Sequence, residues 1–277
     1  MTRRAWLHLP PAPGPGLPLV VMLHGAGATA AVARQQTGWS AKGDAERFAV
    51  VFPEGTARDP DAPPLFRLNP QLWNDGSGRG HVARRGVDDV GFIAALIERL
   101  ARELALDRKR IYLTGFSNGG SLAFRLGAEL GEVVAAIAAV AGHCWIDPPR
   151  LTGLPPLLHI AGGADPLNPL EGGEVETPWG HSEYHPPVRR SVERWARAAG
   201  CGACTDRTDD AGVAWTECGE GARVTAARLA VVPGLGHVWP GGPRLLPERV
   251  VGKASRLLMG TEVIWDFFSR TAPGPLR

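Results

Sequence analysis

The pentapeptide GFSNG at residues 115–119 restricts the fold of this chain more than any other segment. An apolar run, RIYLTG (110–115), leads into it, and a run that favours a helix follows it. This order is typical of a nucleophile elbow, a strained turn that exposes a serine hydroxyl above a parallel sheet. Glycine is needed two residues before and two residues after the serine, because the strand and helix backbones approach closely there. The segment therefore predicts a reactive serine, Ser117.

Apolar runs that end in a loop recur along the chain and indicate buried strands. They are LPLVVMLHG (17–25), FAVVFPEG (48–55), RIYLTG (110–115), VVAAIAAVAG (133–142), PPLLHIAG (155–162) and ARLAVVPG (227–234). Residues 88–104 favour an amphipathic helix that Asp88 or Asp89 can cap. Buried strands that alternate with helices predict an α/β fold, with a mostly parallel central sheet and helices on both faces.

Size and charge narrow the class of protein. The 277 residues suffice for one large domain, so we expect a single catalytic domain over 1–277 that begins with a Pro-rich lead-in at 1–16. Thirty basic and 28 acidic residues give a net charge of +2, and no basic run is interleaved with aromatics, so we expect no nucleic-acid partner. No apolar stretch approaches the ~18–20 residues of a membrane span.

The N-terminus has arginines but no apolar core of the kind found in signal peptides. This leaves two expectations for localisation. The protein is cytoplasmic as given, or it is secreted and its leader has been removed.

The other members of a serine-based catalytic triad can be sought by position. In α/β-hydrolases the acid and then the histidine follow the serine along the chain, in loops after strands. Asp165 follows the strand at 155–162 and precedes a proline, and Asp147 after the preceding strand is the alternative. His237 lies among glycines after the last strand, whereas His159 falls within a strand and is expected in the core. The predicted triad is Ser117, Asp165 and His237.

Attack by a serine on an ester creates an oxyanion that needs fixed hydrogen-bond donors. One donor should be the backbone N–H of Asn118, the residue after the nucleophile. The other should come from the sequence His24-Gly25-Ala26-Gly27 directly after a strand, where we expect the N–H of Ala26.

Two other functions compete with this interpretation. GAGATA (25–30) fits the dinucleotide-binding pattern GxGxxA, and Glu54 ends the next strand where a ribose-binding acid would lie. That oxidoreductase hypothesis leaves Ser117, Asp165 and His237 unexplained. A serine peptidase of the same fold is the second alternative.

Three of the four cysteines are clustered, and Cys144 stands alone. Either Cys201 or Cys204 could form a disulfide with Cys218, and a zinc site is disfavoured because no free histidine is near. We expect no metal and no cofactor.

The chain resembles the poly(3-hydroxybutyrate) depolymerase-like esterases, which neighbour feruloyl and acetylxylan esterases in the α/β-hydrolase superfamily. The matching segments are VVMLHGAG, FAVVFPEG, WNDG, RRGVDDVGFIAALI, IYLTGFSNGGSLAFRL, the strand-end Asp165, NPLEGGEV with PWG, and GLGHVWPGG. The resemblance implies an α/β-hydrolase fold and a secreted ester hydrolase that acts on polyesters or on acyl groups of plant polysaccharides. The expected partner is thus a small or polymeric ester; the oligomeric state is not predicted. The absence of a signal peptide and the sequence HCW around Cys144 depart from this family.

Nine tryptophans against two tyrosines suggest aromatic substrate contacts. Trp73, Trp179 and Trp239 fall in loops beside the predicted triad, where their rings could stack on an acyl group or a polymer chain. The alternative is ordinary packing under glycine-rich loops. The sequence therefore predicts a cofactor-free serine esterase with these three tryptophans as candidate substrate contacts.

Overall fold

Thirteen strands are found in the computed structural model, which describes residues 2–148, 153–219 and 226–271. They are β1 (Ala5–His8), β2 (Leu19–Leu23), β3 (Ala49–Pro53), β4 (Thr56–Ala57), β5 (Gln71–Leu72), β6 (Ile111–Phe116), β7 (Ala136–Val140), β8 (Leu157–Gly162), β9 (Gly173–Glu176), β10 (Ser182–His185), β11 (Cys204–Thr208), β12 (Ala214–Cys218) and β13 (Ala227–Val232). Nine of them form one sheet in the order β1-β3-β2-β6-β7-β8-β13-β12-β11. The six strands from β3 to β13 are parallel.

The helices pack on both faces of this sheet. They are α1 (Ala30–Thr37), α2 (Trp39–Glu46), α3 (Gly80–Arg84), α4 (Asp89–Glu103), α5 (Asn118–Glu129), α6 (Val188–Ala198), α7 (Glu248–Val251) and α8 (Gly260–Arg270). Helices α4, α5 and α6 contribute to one buried cluster, and α1, α2 and α8 contribute to the other. This is the doubly covered sheet that the apolar strands predict.

Strand β2 contributes side chains to both hydrophobic clusters. Leu19, Val21 and Leu23 belong to the cluster on the α5 face, while Val20 and Met22 belong to the opposite one. Successive side chains of a strand point to opposite faces, so a strand buried on both sides must be apolar throughout. Fully burying each large aliphatic side chain contributes roughly 1.5–3 kcal/mol to the stability of the folded state, so these residues stabilise the central sheet.

All six predicted strands and the helix at 88–104 are confirmed, with ends that differ by a few residues. Asp88 caps α4, because its Oδ1 accepts from the N–H of Gly91 at 2.7 Å. Strand β1 lies within the Pro-rich lead-in at 1–16 and pairs antiparallel with β3. The antiparallel extension β12–β11 and the hairpin β9–β10 were not predicted.

A disulfide joins Cys204 to Cys218, which face each other across β11 and β12. The sequence left Cys201 and Cys204 as equal candidates, and Cys201 is a free, half-buried thiol instead. The antiparallel register decides the partner, because it brings Cys204 opposite Cys218.

Among the described residues, no helix combines the length and apolarity needed to cross a bilayer.

The disulfide gives the first prediction. Replacing Cys204 and Cys218 together by alanine should lower the free energy of unfolding by about 3 kcal/mol, because a cross-link over 14 residues restricts the unfolded chain. Chemical denaturation without reductant measures this loss. The control is Cys201→Ala, which removes a thiol from the same region without opening a loop. Equal denaturation midpoints for the double variant and the wild type would contradict the assigned bond.

The second prediction concerns His159, which is wholly buried in β8 with the Phe124 ring 5.5 Å away. Burial lowers the pKa of His159 from 6.5 to about 4, against a smaller opposing effect of the Gly142 backbone. Below pH 6.5 the unfolded chain binds a proton at this residue and the folded chain does not, so stability falls as the pH drops towards about 4. The contribution of this residue is about 3 kcal/mol over that window.

His159→Leu should therefore flatten the dependence of the unfolding free energy on pH between about 6.5 and 4. The measurement is a set of denaturant titrations across that range. His181→Leu serves as the control, because His181 is exposed. An unchanged slope in His159→Leu would refute the prediction.

Candidate active site

Ser117 occupies the turn between β6 and α5, with φ 54° and ψ −119°. A non-glycine residue at such a positive φ costs roughly 1–3 kcal/mol, so its surroundings must enforce the conformation. A Cβ on Gly115 would lie 2.2 Å from the carbonyl oxygen of Gly119. A Cβ on Gly119 would lie 2.4 Å from the carbonyl oxygen of Leu23. Both positions thus require glycine, and the turn has the geometry expected of a nucleophile elbow.

Asp165 and His237 follow the carboxyl ends of β8 and β13, and these two strands are neighbours in the sheet. The His237 Nδ1 lies 2.8 Å from Oδ2 of Asp165, and both side chains are buried. The other carboxylate oxygen, Oδ1, accepts from the N–H groups of Leu167 and Asn168, each at 2.8 Å. The loop backbone therefore orients the carboxylate, which in turn orients the imidazole.

Ser117 and His237 line one cavity of about 350 Å³, which we call the Ser117 cavity. The Phe116 ring packs against the His237 ring at 4.9 Å between centroids. A larger groove of about 1250 Å³ lies between α6 and the outer strands, and none of the three predicted triad residues lines it. The smaller cavity is therefore the candidate site.

Ala26 and Asn118 also line the Ser117 cavity. In the turn after β2, the N–H of Gly27 donates to Gln71 and that of Ala28 donates to Gly25. Within the described chain the N–H of Ala26 has no such acceptor. The N–H of Asn118 begins α5 and has no partner within that helix. Two backbone donors are thus available in the cavity that contains Ser117.

His24 supports the turn that carries Ala26. Its Nδ1 lies 2.8 Å from the carbonyl oxygen of Gly25, and its Nε2 accepts from the N–H of Gly55 at 2.9 Å. Burial lowers the pKa of His24, so the ring is neutral and carries its proton on Nδ1. The sequence suggested the turn but not this role for the histidine.

Trp73 does not line the Ser117 cavity, although its loop position predicted a substrate contact. Its side chain is 1% exposed, and its indole N–H donates to the carbonyl oxygen of His24 at 2.9 Å. Its backbone N–H donates to Oδ1 of Asn118 at 2.8 Å. The Asn118 amide also donates to Asp75 at 2.9 Å, so the side chain of Asn118 joins the elbow to this loop.

Trp239 is likewise buried, at 1% exposure, and it donates to Thr261 Oγ1 at 3.1 Å. Its ring packs against Phe116 with centroids 6.4 Å apart, and Trp239 does not line the Ser117 cavity, although a substrate contact was predicted for it. Trp179 does line the Ser117 cavity, half-buried against Phe66 with ring centroids 5.4 Å apart. Of the three predicted tryptophans, Trp179 is the one that a ligand in the cavity can reach.

Asp147, the alternative acid, has a side chain that is 93% exposed and lies 3.4 Å from Arg194.

The contacts of Glu54 and Gly25 argue against the dinucleotide-binding hypothesis. The Glu54 carboxylate accepts from the N–H of Ala30 and from Gln71 at 3.1 and 2.9 Å, so it holds the start of α1. A Cβ on Gly25 would lie 3.4 Å from that of Ser117, so this turn belongs to the serine site.

Cys144, left uninterpreted by the sequence, is a buried thiol. Burial raises its pKa to about 12, so the thiol is protonated and unreactive at neutral pH. Its backbone N–H donates to Ser191 in α6. The residue is part of the core and not of the site.

Four polar side chains in the wall of the Ser117 cavity were not predicted. They form the polar cluster, defined as Arg79, His143, Asn168 and His185. Four separate segments supply them, so no local motif indicates the cluster. The sequence HCW after β7, which departed from the resembled family, was the only signal.

A family model described as "Esterase PHB depolymerase" matches residues 4–147, just over half of the chain. "Putative esterase NocK" of Nocardia uniformis subsp. tsuyamanensis is 34% identical over 289 residues, which cover 96% of this chain and 79% of that protein. The poly(3-hydroxyalkanoate) depolymerase C of Paucimonas lemoignei is 30% identical over 135 residues, which cover 49% of this chain and 30% of that protein. Feruloyl esterase B of Piromyces equi is 25% identical over 196 residues, with 56% and 36% covered.

Solved structures agree on the fold. Acetyl xylan esterase from Aspergillus awamori superposes with a TM-score of 0.61 at 13% identity, covering 84% of this chain and 88% of its own. Esterase PE8 gives a TM-score of 0.56 at 18% identity over 98% and 100% of the two chains. The chain therefore belongs to the esterase PHB depolymerase family and is a carboxylic ester hydrolase with the α/β-hydrolase fold.

Proposed function

We propose that the chain hydrolyses esters through an acyl-serine intermediate, with Ser117 as nucleophile, His237 as base and Asp165 as the orienting acid. The observation that carries this proposal is the 2.8 Å contact between His237 Nδ1 and Asp165. The His237 ring lines the same cavity as Ser117, which lies on a strained turn. A serine hydroxyl attacks only when a base removes its proton, and the imidazole Nε2 is the free nitrogen for that task.

The reaction proceeds in two steps. Ser117 Oγ attacks the ester carbonyl carbon while its proton passes to His237, and the imidazolium then gives that proton to the departing alcohol. A water molecule, deprotonated by His237, next attacks the acyl-serine ester, and the imidazolium returns that proton to Ser117 Oγ as the acid is released. Asp165 stabilises the positive imidazolium in both steps. The N–H groups of Ala26 and Asn118 stabilise the two oxyanions, and losing one such donor typically costs ~100–1,000-fold in turnover.

The substrate class follows from the walls of the Ser117 cavity. Apolar residues such as Phe66, Val175 and Trp179 provide a surface for an acyl chain or an aromatic ring. The names of the relatives support esters of hydroxyalkanoates, of ferulate or of acetylated xylan as candidates. Residues 1–277 are proposed to act as one catalytic unit.

Ser117→Ala should lower kcat on short p-nitrophenyl esters by about 10,000-fold or more while the protein stays folded. The matched control is Ser269→Ala, which replaces an exposed serine on α8.

A second experiment labels the protein with a fluorophosphonate and maps the modified peptide. The label should modify Ser117 and leave Ser121 unmodified, although Ser121 lines the same cavity. Turnover retained by folded Ser117→Ala would disprove the mechanism. Faster cleavage of matched peptide anilides than of esters would favour the peptidase alternative.

His24→Ala should lower kcat by about 10- to 100-fold with a smaller effect on KM, because the turn that presents the Ala26 N–H loses its support on both sides. Steady-state kinetics on one ester, with thermal melting as a folding check, measures this. Trp73→Phe is a milder comparison, since it removes the donor to the His24 carbonyl and part of the ring but leaves His24 in place. A folded His24→Ala enzyme with normal kcat would remove His24 from any positioning role.

A further inference from the structure

The loop between β5 and α3, residues 73–79, contains a buried carboxylate that the proposed triad chemistry does not use. This is Asp75, at 3% exposure. Burying a carboxylate is costly unless its oxygens are hydrogen-bonded. Its Oδ1 accepts from the N–H and the hydroxyl of Ser77, at 3.1 and 2.6 Å. Its Oδ2 accepts from the side-chain amide of Asn118 at 2.9 Å. Asp75 is therefore bonded directly to the residue that follows the proposed nucleophile.

The side chain of Asn118 is held at both ends of its amide. Its Oδ1 accepts from the N–H of Trp73 at 2.8 Å, and its Nδ2 donates to the carbonyl oxygen of Trp73 at 3.1 Å as well as to Asp75. A flipped amide would direct its nitrogen at an N–H and its oxygen at a carboxylate, so these partners fix one orientation. Only the two dihedral angles χ1 and χ2 separate this amide from the Asn118 backbone, whose N–H is the proposed oxyanion donor.

The loop that carries Asp75 is anchored without help from Asn118. The N–H of Asn74 donates to Oδ2 of the buried Asp89 at 2.7 Å, at the start of α4. On the other side, Arg125 donates to the carbonyl oxygen of Asn74 at 2.8 Å. Arg125 lies seven residues after Asn118, which places both residues on the same face of α5. The loop is thus fixed to two helices, and Asp75 is a fixed point against which the Asn118 side chain is aligned.

Arg79 offsets part of the cost of burying Asp75. Its Nη2 lies 3.6 Å from Oδ2 of Asp75, and its Nη1 donates to Glu183 in β10 at 2.5 Å. The guanidinium also stacks over the Trp145 ring, 4.2 Å from its centroid. A buried charge is tolerated when an opposite charge and hydrogen bonds surround it. The carboxylate of Asp75 therefore has both, in addition to its bond to Asn118.

We propose that Asp75 is a positioning residue for ester hydrolysis, whose carboxylate fixes the Asn118 side chain and thereby the direction of the Asn118 N–H towards the oxyanion. This inference rests on the proposed serine mechanism, because it concerns one of the two backbone donors in that mechanism. Asp75 does not line the Ser117 cavity, so it acts through Asn118 and not on the substrate. A misplacement of about 1 Å can cost ~100-fold in rate, and a donor aimed at the oxyanion contributes mainly to the transition state. The role of Asp75 should therefore be measurable in kcat and in the binding of oxyanion analogues, with little effect on KM.

The first test is Asp75→Asn, a substitution that preserves the size of the side chain. The new amide has one oxygen for donors on two sides, so the bond to Ser77 or the bond to Asn118 is lost. On p-nitrophenyl butyrate, kcat should fall by about tenfold while KM changes by less than about twofold. A trifluoromethyl ketone with the same acyl chain forms a hemiketal oxyanion with Ser117, so its inhibition constant should rise by the same factor as kcat/KM falls.

The matched control is Asp210→Asn, which replaces an exposed aspartate and should keep the wild-type values of both constants. Circular dichroism and thermal melting show whether each variant is folded at the assay temperature. A role in folding alone would leave kcat and the inhibition constant of the folded variant unchanged. That result, or an effect confined to KM, would overturn the proposal.

A double-mutant cycle tests whether Asp75 acts through Asn118. Asn118→Ala keeps the backbone N–H but removes the amide that Asp75 holds, so kcat should again fall by about tenfold. Asp75→Asn should then cause no further loss in the Asn118→Ala background. Effects that multiply in the double variant would show that Asp75 acts by another route and would overturn the proposal.

Asn118→Ala also decides the question if Asp75→Asn does not fold. Wild-type kcat and ketone inhibition in folded Asn118→Ala would show that this side chain does not position the N–H. Failure of the positioning role is distinct from failure of the serine mechanism. The first leaves turnover that depends on Ser117 but not on Asp75, and the second leaves turnover in Ser117→Ala.

Discussion

The close approach of three backbone segments at Ser117 is the constraint on which the site depends. Strand β6, the start of α5 and the end of β2 meet where a single Cβ on Gly119 would lie 2.4 Å from the Leu23 carbonyl. Within this close approach Ser117 adopts φ 54°, a conformation that costs roughly 1–3 kcal/mol in isolation. The buried strands on either side of β6 offset that cost. The same approach brings the turn after β2, with Ala26, beside the N-terminus of α5, so one packing arrangement presents both the hydroxyl and the two amide donors.

The support for that arrangement extends outward through buried hydrogen bonds. The amide of Asn118 bonds to the backbone of Trp73 and to Asp75, and Trp73 in turn donates to the carbonyl of His24. His24 then bonds to Gly25 and Gly55. The Trp73 indole is 1% exposed and its N–H is bonded to the His24 carbonyl, so packing fixes the ring in the core. Its bulk and its indole N–H support the turn after β2, and Trp73 does not line the Ser117 cavity.

The sequence alone predicted those features of the structure that depend on a short, local pattern of residues. The elbow at Ser117, the strand-end positions of Asp165 and His237, and the six core strands each depend on a short pattern or on chain order. Burial depends on what packs from elsewhere, so the sequence could not separate Trp73 and Trp239 from Trp179. The sequence could not predict the polar cluster either, because its four members come from separate segments. These are α3 and its flanks, the ends of β7 and β8, and the hairpin β9–β10.

The histidines show why position in the sequence must be combined with environment. His24, His143 and His159 are all buried, and burial lowers the pKa of each, so all three are neutral at neutral pH. His24 has partners on both nitrogens and holds a turn, whereas His159 is packed in the core of β8. His143 bonds to Asn168 through Nε2, while its Nδ1, like both ring nitrogens of His159, has no protein partner among the described residues. His237 differs from all of them because a carboxylate faces its Nδ1, and only such a ring can hold a transferred proton at low cost. The buried Asp165 carboxylate, 2.8 Å from Nδ1, therefore distinguishes His237, the proposed base, from these three histidines.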